Sequence, residues 1–255
     1  MRRKWTDLLS ARTGRRPPMI TLYQFAPAFG LPNASPFCMK VETYLRLAGL
    51  EYKTARVNNP AKAPKGKLPY IFDDGRIVCD SHFILHYLRE KYRVPLNDGL
   101  TGHELLTHKM LARMLDEHIY FCALFARWLD PDHTAKTRDA FFGFLPAPLK
   151  QIIFIQARRN VRKALHAQGL GRHDMSDIYG LGIEDIETTA ALLGEAPYFG
   201  GEAPREIDAT AYAFLANLIV PPYDTPLRVA ASGHANLTAY VDRMTARLFP
   251  ELLPA

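Results

Sequence analysis

Cysteine is scarce. Cys38, Cys79 and Cys122 are the only three in 255 residues, an odd and widely spaced set, which excludes a secreted disulfide framework and fits a reducing interior. Long apolar runs are missing too. The longest, residues 211–220, is broken by Asn217 and is about half the ~20 residues a membrane span requires, so the chain reads as soluble. Disorder is excluded from the other side, because 48% of the residues are hydrophobic and such a chain can bury a core.

Acidic residues are nearly absent from the first 18 positions, where six Lys and Arg face Asp7 alone. That segment carries most of the formal charge of +6; the rest holds 26 basic and 25 acidic residues. A body so near neutrality gives no electrostatic case for a nucleic-acid partner. Residues 1–18 read as a basic, disordered tail, with Met19 as an alternative start; an Arg-rich, acid-poor segment also resembles an organelle transit peptide.

What is present divides in two. From Ile20 to about Tyr92, strand and helix signals alternate. Ile20–Phe25 is rich in aromatic and β-branched residues. Ser35 and Pro36 then open a helix with Cys38, Val41, Tyr44, Leu45 and Ala48 at helical spacing, stopped by Gly49. Tyr52–Val57 is a second strand. Tyr70–Phe72 and Arg76–Cys79 flank the tight turn Asp73-Asp74-Gly75. Asp80-Ser81 caps a helix with Phe83, Ile84, Tyr87 and Leu88 on its apolar face. A crossover helix makes the first strand pair parallel and a hairpin makes the second antiparallel, which gives a small mixed sheet. The expected organisation is an α/β module over 19–93, a linker over 94–101 and an all-helical module over 102–250. The longest helix is expected at Glu104–Leu129, with Leu105, Leu111, Met114, Leu115, His118, Cys122 and Phe125 on one stripe. Further helices are expected at 149–168, 175–193, 205–219 and 235–248.

That order, with Ser35-Pro36-Phe37-Cys38, Lys67-Leu68-Pro69-Tyr70-Ile71 and Asp80-Ser81, resembles the glutathione transferase superfamily. The strings 35–52, 116–128, 171–182 and 197–215 look most like its branch of metaxins, failed axon connections proteins and their bacterial relatives. The resemblance implies a thioredoxin-like domain followed by a helical one, glutathione as co-substrate, and a homodimer in the cytoplasm with a role in detoxification.

It also assigns roles. Ser35 would be the catalytic serine, donating a hydrogen bond to the glutathione sulfur. Holding a thiol of pKa about 8.5 as thiolate near 6.5 requires roughly 2.7 kcal/mol. A hydrogen bond to a charged acceptor supplies about 1.5–3 kcal/mol and a helix N-terminus about 0.3–2, so no general base is needed. Ser35 is equally an ordinary helix cap. Leu68-Pro69, if cis, would offer backbone groups to the cysteinyl part, though a simple loop proline fits as well. Asp80 would pair with the γ-glutamyl ammonium, and Ser81 with its carboxylate, while both cap the helix. Lys67 would meet the glycyl carboxylate, a role open also to Lys62 or Lys65.

Other residues weigh less. Cys38 holds the more buried position of a Cys-x-x-Cys pattern whose exposed position is Ser, so thiol–disulfide exchange is disfavoured. Tyr23 reads as packing, since the register of tyrosine-type transferases falls nearer Gln24. Asp208 looks like a helix-capping residue whose box is incomplete, because Arg205 stands where Ser or Thr is expected. His82 and His86 are spaced i, i+4 but are expected on a core-packing helix, and no metal is expected. Phe29, His118, Tyr120 and Trp128 are core aromatics or, less simply, the lining of a second-substrate pocket. The expected function is conjugation of glutathione to a small hydrophobic electrophile, with no nucleic-acid and no membrane partner. The alternative is a non-catalytic, metaxin-like scaffold.

Overall fold

The computed structural model describes residues 19–253; the expected basic tail lies outside them. Strand β1 (Ile20–Gln24), helix α1 (Pro36–Leu47), β2 (Tyr52–Arg56), β3 (Tyr70–Asp73), β4 (Arg76–Cys79) and α2 (Ser81–Tyr92) follow in that order. The sheet runs β2-β1-β3-β4, with β1 and β2 parallel and both other pairs antiparallel. This is the mixed sheet that the crossover helix and the Asp73-Asp74-Gly75 turn require. Ile20, Leu22, Ile71 and Val78 pack against Val41, Tyr44, Leu45, Ile84 and Leu88 of the two helices. Strand alternation and helical spacing thus meet in one core.

Buried Asp73 (0% exposed) fixes the hairpin to α2. It accepts from Tyr87 Oη at 3.0 Å, Lys91 Nζ at 2.9 Å and Tyr92 Oη at 2.9 Å. A buried carboxylate is tolerable only when its oxygens are so occupied.

Helix α2 departs from expectation on one point. Phe83 is 57% exposed and Leu85 is buried in its stead; Phe83 belongs to the outward face, along with His82 and His86. The long helix also differs. It comprises α3 (Gly102–Met114), a wide π turn (Leu115–Ile119) and α4 (Tyr120–Trp128). Leu105 is 41% exposed, outside the buried stripe of Leu111, Leu115, Ile119, Cys122 and Ala126.

Helices α5 (Thr134–Phe142), α6 (Ala147–Gln168), α7 (Met175–Leu193), α8 (Glu206–Ile219), α9 (Pro226–Gly233) and α10 (Ala235–Leu248) complete the second module. Helix α8 is its centre, buried from Ile207 to Leu218. Asp208, fully buried, accepts from the N–H groups of Phe199 (2.8 Å), Gly200 (3.1 Å) and Arg205 (2.8 Å). Arg205 returns its backbone carbonyl to the Asp208 N–H at 3.1 Å, so the Arg205 main chain takes the place of the missing Ser or Thr hydroxyl opposite the Asp208 carboxylate. Burial raises the Asp208 carboxyl above the usual range, and the three donors oppose that shift.

Candidate functional site

The register of the sheet gathers one edge. Tyr23 of β1 pairs with Tyr70 at the start of β3, and Tyr70 pairs with Cys79 at the end of β4. The segments that follow β1, precede β3 and follow β4 therefore emerge together. These are the loop to Ser35, the Leu68-Pro69 dipeptide and Asp80. Their contacts are continuous. Cys38 packs with Leu68 and Ala63, and the Asp80 N–H reaches the Pro69 carbonyl at 3.4 Å. Both α1 and α2 begin at this edge, so two helix N-termini with their partial positive charge point at the same region.

Ser35 is the N-cap of α1, in extended backbone, with Pro36 in the first turn. Its Oγ accepts a long hydrogen bond from the Cys38 N–H at 3.4 Å. The hydroxyl donates to no oxygen or nitrogen among the described residues and has only the buried Cys38 sulfur beside it, so the half-buried group keeps a donor to offer. Cys38 itself is fully buried. Burial pushes its thiol up to about 12, against the smaller opposing effect of the Ser35 hydroxyl, which leaves no thiolate at neutral pH.

The Leu68-Pro69 bond is cis. Leu68 and Pro69 are buried, Lys67 is exposed, and so are Lys62 and Lys65. Asp80 caps α2 by accepting from the His82 N–H at 2.9 Å, at a positive φ of 78° that Asp tolerates better than most residues. Asp80 is exposed whereas Ser81 is buried. Tyr23 stacks on Tyr70 with ring centroids 4.3 Å apart, and Gln24 is buried and donates to Glu42 at 2.7 Å. Both are packing residues.

The turn before Ser35 is held from a distance. Asn33, fully buried, donates to the Phe25 carbonyl at 2.8 Å and accepts from the Ser35 N–H at 3.0 Å. Arg127 of α4 donates to the Ala34 carbonyl at 2.7 Å and to the Asn217 carbonyl at 3.1 Å. Asn217 closes the set by donating to the Asn33 carbonyl at 3.3 Å. No carboxylate pairs with Arg127 among the described residues. Its guanidinium lies instead over the Tyr223 ring (5.5 Å) and near that of Phe29 (6.0 Å). The sequence reading misses all three of these residues. The Asn33-x-Ser35 pair before the helix is the one local signal, an Asx turn feeding a cap.

Aromatic side chains surround this turn. Phe29 meets Phe141 and Tyr223 edge-on, at 5.9 and 5.4 Å, and Trp128 stacks on Phe141 at 5.5 Å. Tyr120 packs on Phe37 at 4.7 Å. His118 is engaged elsewhere, through Nδ1 with the Asp185 carboxylate.

A second bond ties the modules. Lys40 of α1 donates to both Asp116 oxygens, at 2.7 and 2.9 Å, with both side chains buried. Asp116 lies in the π turn. A cleft of about 400 Å³ opens beside this pair, lined among others by His82, His86, Arg113 and Glu206. None of Ser35, Pro69 and Asp80 lines it. No group of three or more His, Cys, Asp or Glu residues able to hold a metal occurs among the described residues.

Two family models match the chain, the glutathione S-transferase N-terminal domain over residues 36–133 and the C-terminal domain over 182–244. Isoprene-epoxide–glutathione S-transferase of Rhodococcus sp. (strain AD45) is 32% identical over 237 residues, which cover 89% of this chain and 98% of that one. Failed axon connections of Drosophila melanogaster is also 32% identical, over 91% of this chain, yet the match spans 59% of that protein's length. Human metaxin-1 is 25% identical, over 94% of this chain and 53% of its own. The fold matches that of glutathione S-transferase III in its apo form, at TM-score 0.58 and 17% identity, covering 93% of this chain and 99% of that chain. It also matches a theta-class enzyme of Xanthomonas axonopodis pv. citri with glutathione bound, at TM-score 0.57 and 15% identity, again over 93% and 99%. With its α/β module and its helical module each matched in order, and a transferase relative aligned along nearly its whole length, the chain belongs to the glutathione S-transferase family.

Proposed function

We propose that this protein is a cytoplasmic glutathione transferase in which Ser35 holds the bound thiolate for attack on a small apolar electrophile. The observation that carries this reading is the Ser35 hydroxyl, oriented by the Cys38 N–H at a helix N-terminus and donating to no oxygen or nitrogen among the described residues. Leu68 and cis-Pro69 serve the cysteinyl segment, Asp80 and Ser81 the γ-glutamyl end, and Lys67 the glycyl carboxylate. The aromatic group of Phe29, Phe141 and Tyr223 beside the turn favours an apolar second substrate. An epoxide is the natural probe, given the name of the Rhodococcus relative. The glutathione sulfur would form a C–S bond to one ring carbon, the C–O bond would break, and the ring oxygen would take a proton from solvent.

A homodimer is part of the proposal. Phe72 and Ile77 on the β3–β4 hairpin and Phe83 on α2, with Leu105, Leu106 and Met110 on α3, are exposed apolar side chains that a second copy would cover. A scattering mass near 28.8 kDa at micromolar concentration would count against it.

The competing reading is a binding protein that retains the transferase fold. It is favoured by the Ser35 cap, which gives the residue a structural role without chemistry. Conjugation of glutathione to a small epoxide, followed by product mass, decides between the two. Retention on immobilised glutathione without turnover supports the binding protein.

A further inference from the structure

The hairpin of α5 and α6 belongs to neither matched segment, since the family models stop at residue 133 and resume at 182. Between Asp139 and Asp174 the chain holds six Lys and Arg and no acidic residue. Helix α6 alone carries Lys150, Arg158, Arg159, Arg162 and Lys163.

Its two faces differ. The inner face is fixed to the body: Phe154 and Leu165 are buried, Phe154 stacks with Trp128 at 6.0 Å, and Arg158 donates to the Trp128 carbonyl at 3.0 Å. The outer face is apolar at its start and cationic further on. Phe144 is 71% exposed, Leu149 45%, Ile152 65% and Ile155 40%. Arg159 and Lys163 continue the Ile152–Ile155 line at helical spacing, and Arg162 lies beside them. All three are exposed, and none forms an ion pair among the described residues.

We propose that this hairpin is a docking surface for an anionic lipid bilayer, with Phe144, Leu149, Ile152 and Ile155 seated at the acyl boundary and Arg159, Arg162 and Lys163 against the headgroups. A large apolar ridge flanked by uncompensated cations is the composition of a helix that lies in a membrane interface. No single helix among the described residues is long and apolar enough to cross a membrane; four cations occupy the second half of α6, and α5 turns away from it by 117°. Nucleic acid would satisfy the cations but leave the four apolar side chains in water, since phosphate contacts give them nothing. An acidic protein surface does no better for the ridge. Short apolar runs bear only on spanning by a single helix and leave docking at the bilayer surface open.

The test is flotation of the full chain with phosphatidylcholine vesicles, with and without phosphatidylserine, at low and high salt. Binding is expected on the phosphatidylserine vesicles and is expected to weaken with salt. Phe144→Ser with Ile152→Ser should cut the partition more than tenfold, because each removes a large apolar side chain from the acyl boundary. Arg159→Gln and Lys163→Gln should each cost roughly fivefold. All four side chains are exposed, so far-ultraviolet circular dichroism should match the parent. Absence of flotation overturns the proposal. So does flotation indifferent to Phe144 and Ile152, which would assign binding to another basic segment such as residues 1–18. Equal binding to single-stranded DNA that ignores Phe144→Ser would make the surface a polyanion site instead. A dimer that dissociates in the Phe144→Ser, Ile152→Ser variant, with no vesicle binding by the parent, would make it a contact between copies.

Discussion

The two helix starts at the site edge are built on opposite plans. The start of α2 is local: Asp80 caps its own helix and bonds its own hairpin, and no residue beyond the first module is required. The start of α1 is held from across the molecule, by Arg127, Asn217 and the Lys40–Asp116 pair. Under the proposed function, binding of the γ-glutamyl end would depend on the first module alone, and orientation of the thiolate end on how the helical module docks. Damage to the docking should reach the chemistry before it reaches affinity.

Lys40→Ala tests that division with the largest effect. It leaves Asp116 buried without its cation, and a loss of about 3–5 kcal/mol in urea unfolding is expected. Lys40→Met with Asp116→Leu should recover most of it; a double variant as unstable as the single one would mean that the helix packing, not the unpaired charge, is at fault. Arg127→Met should cost about 2–3 kcal/mol, because the Ala34 and Asn217 carbonyls lose a charged donor. Its turnover at saturating glutathione should drop while the glutathione dissociation constant moves little. A variant that loses affinity and keeps turnover would reverse the division proposed here.

Ser35→Ala sharpens the comparison within α1. Loss of the hydroxyl should raise the pKa of bound glutathione by about 1–2 units. Below the new pKa the thiolate fraction falls about tenfold per unit, so conjugation at pH 6.5 should drop roughly ten- to hundredfold. The deficit should close as pH rises and the thiol ionises unaided; a deficit constant from pH 6 to 9 would assign Ser35 a structural role. Asp80→Asn keeps the cap and tolerates the positive φ, but removes the negative charge. Glutathione KM should rise several-fold with kcat preserved. The smallest effect is expected from Cys38→Ala. With its thiol held up near 12, conjugation should stay within twofold, and inactivation by this change would force a cysteine-dependent mechanism.

The first module is legible in the sequence because its signals are local. Ser35-Pro36, Asp73-Asp74-Gly75 and Asp80-Ser81 each lie within a few residues of the structure they set, and the four strands fall within a residue or two of their expected bounds. The second module hides more. Helix α5 follows an N-cap, His133, that makes no side-chain cap bond, and Thr137 is its one buried residue, so neither capping nor periodicity marks it. Helix α9 does carry a mark: Thr225 caps Arg228 at 3.1 Å and Pro226 follows. The expected helices nevertheless end at 219 and resume at 235, passing over it. The anchors of the α1 turn stay out of reach for a different reason. Lys40 meets Asp116 from 76 residues away and Ala34 meets Arg127 from 93, distances over which no pattern of spacing reports a contact.

The π turn at Leu115–Ile119 acts as a vernier. Asp116 within it grips Lys40, and Arg127 beyond it grips the Ala34 carbonyl, so one continuous rod holds α1 and the turn that leads into it at two places. Removing one residue from the turn would rewind the rod by about 100°. Either grip could then be kept, but not both. A one-residue deletion there should do more harm than any substitution, and the length of this stretch, more than its composition, sets the phase between the two modules.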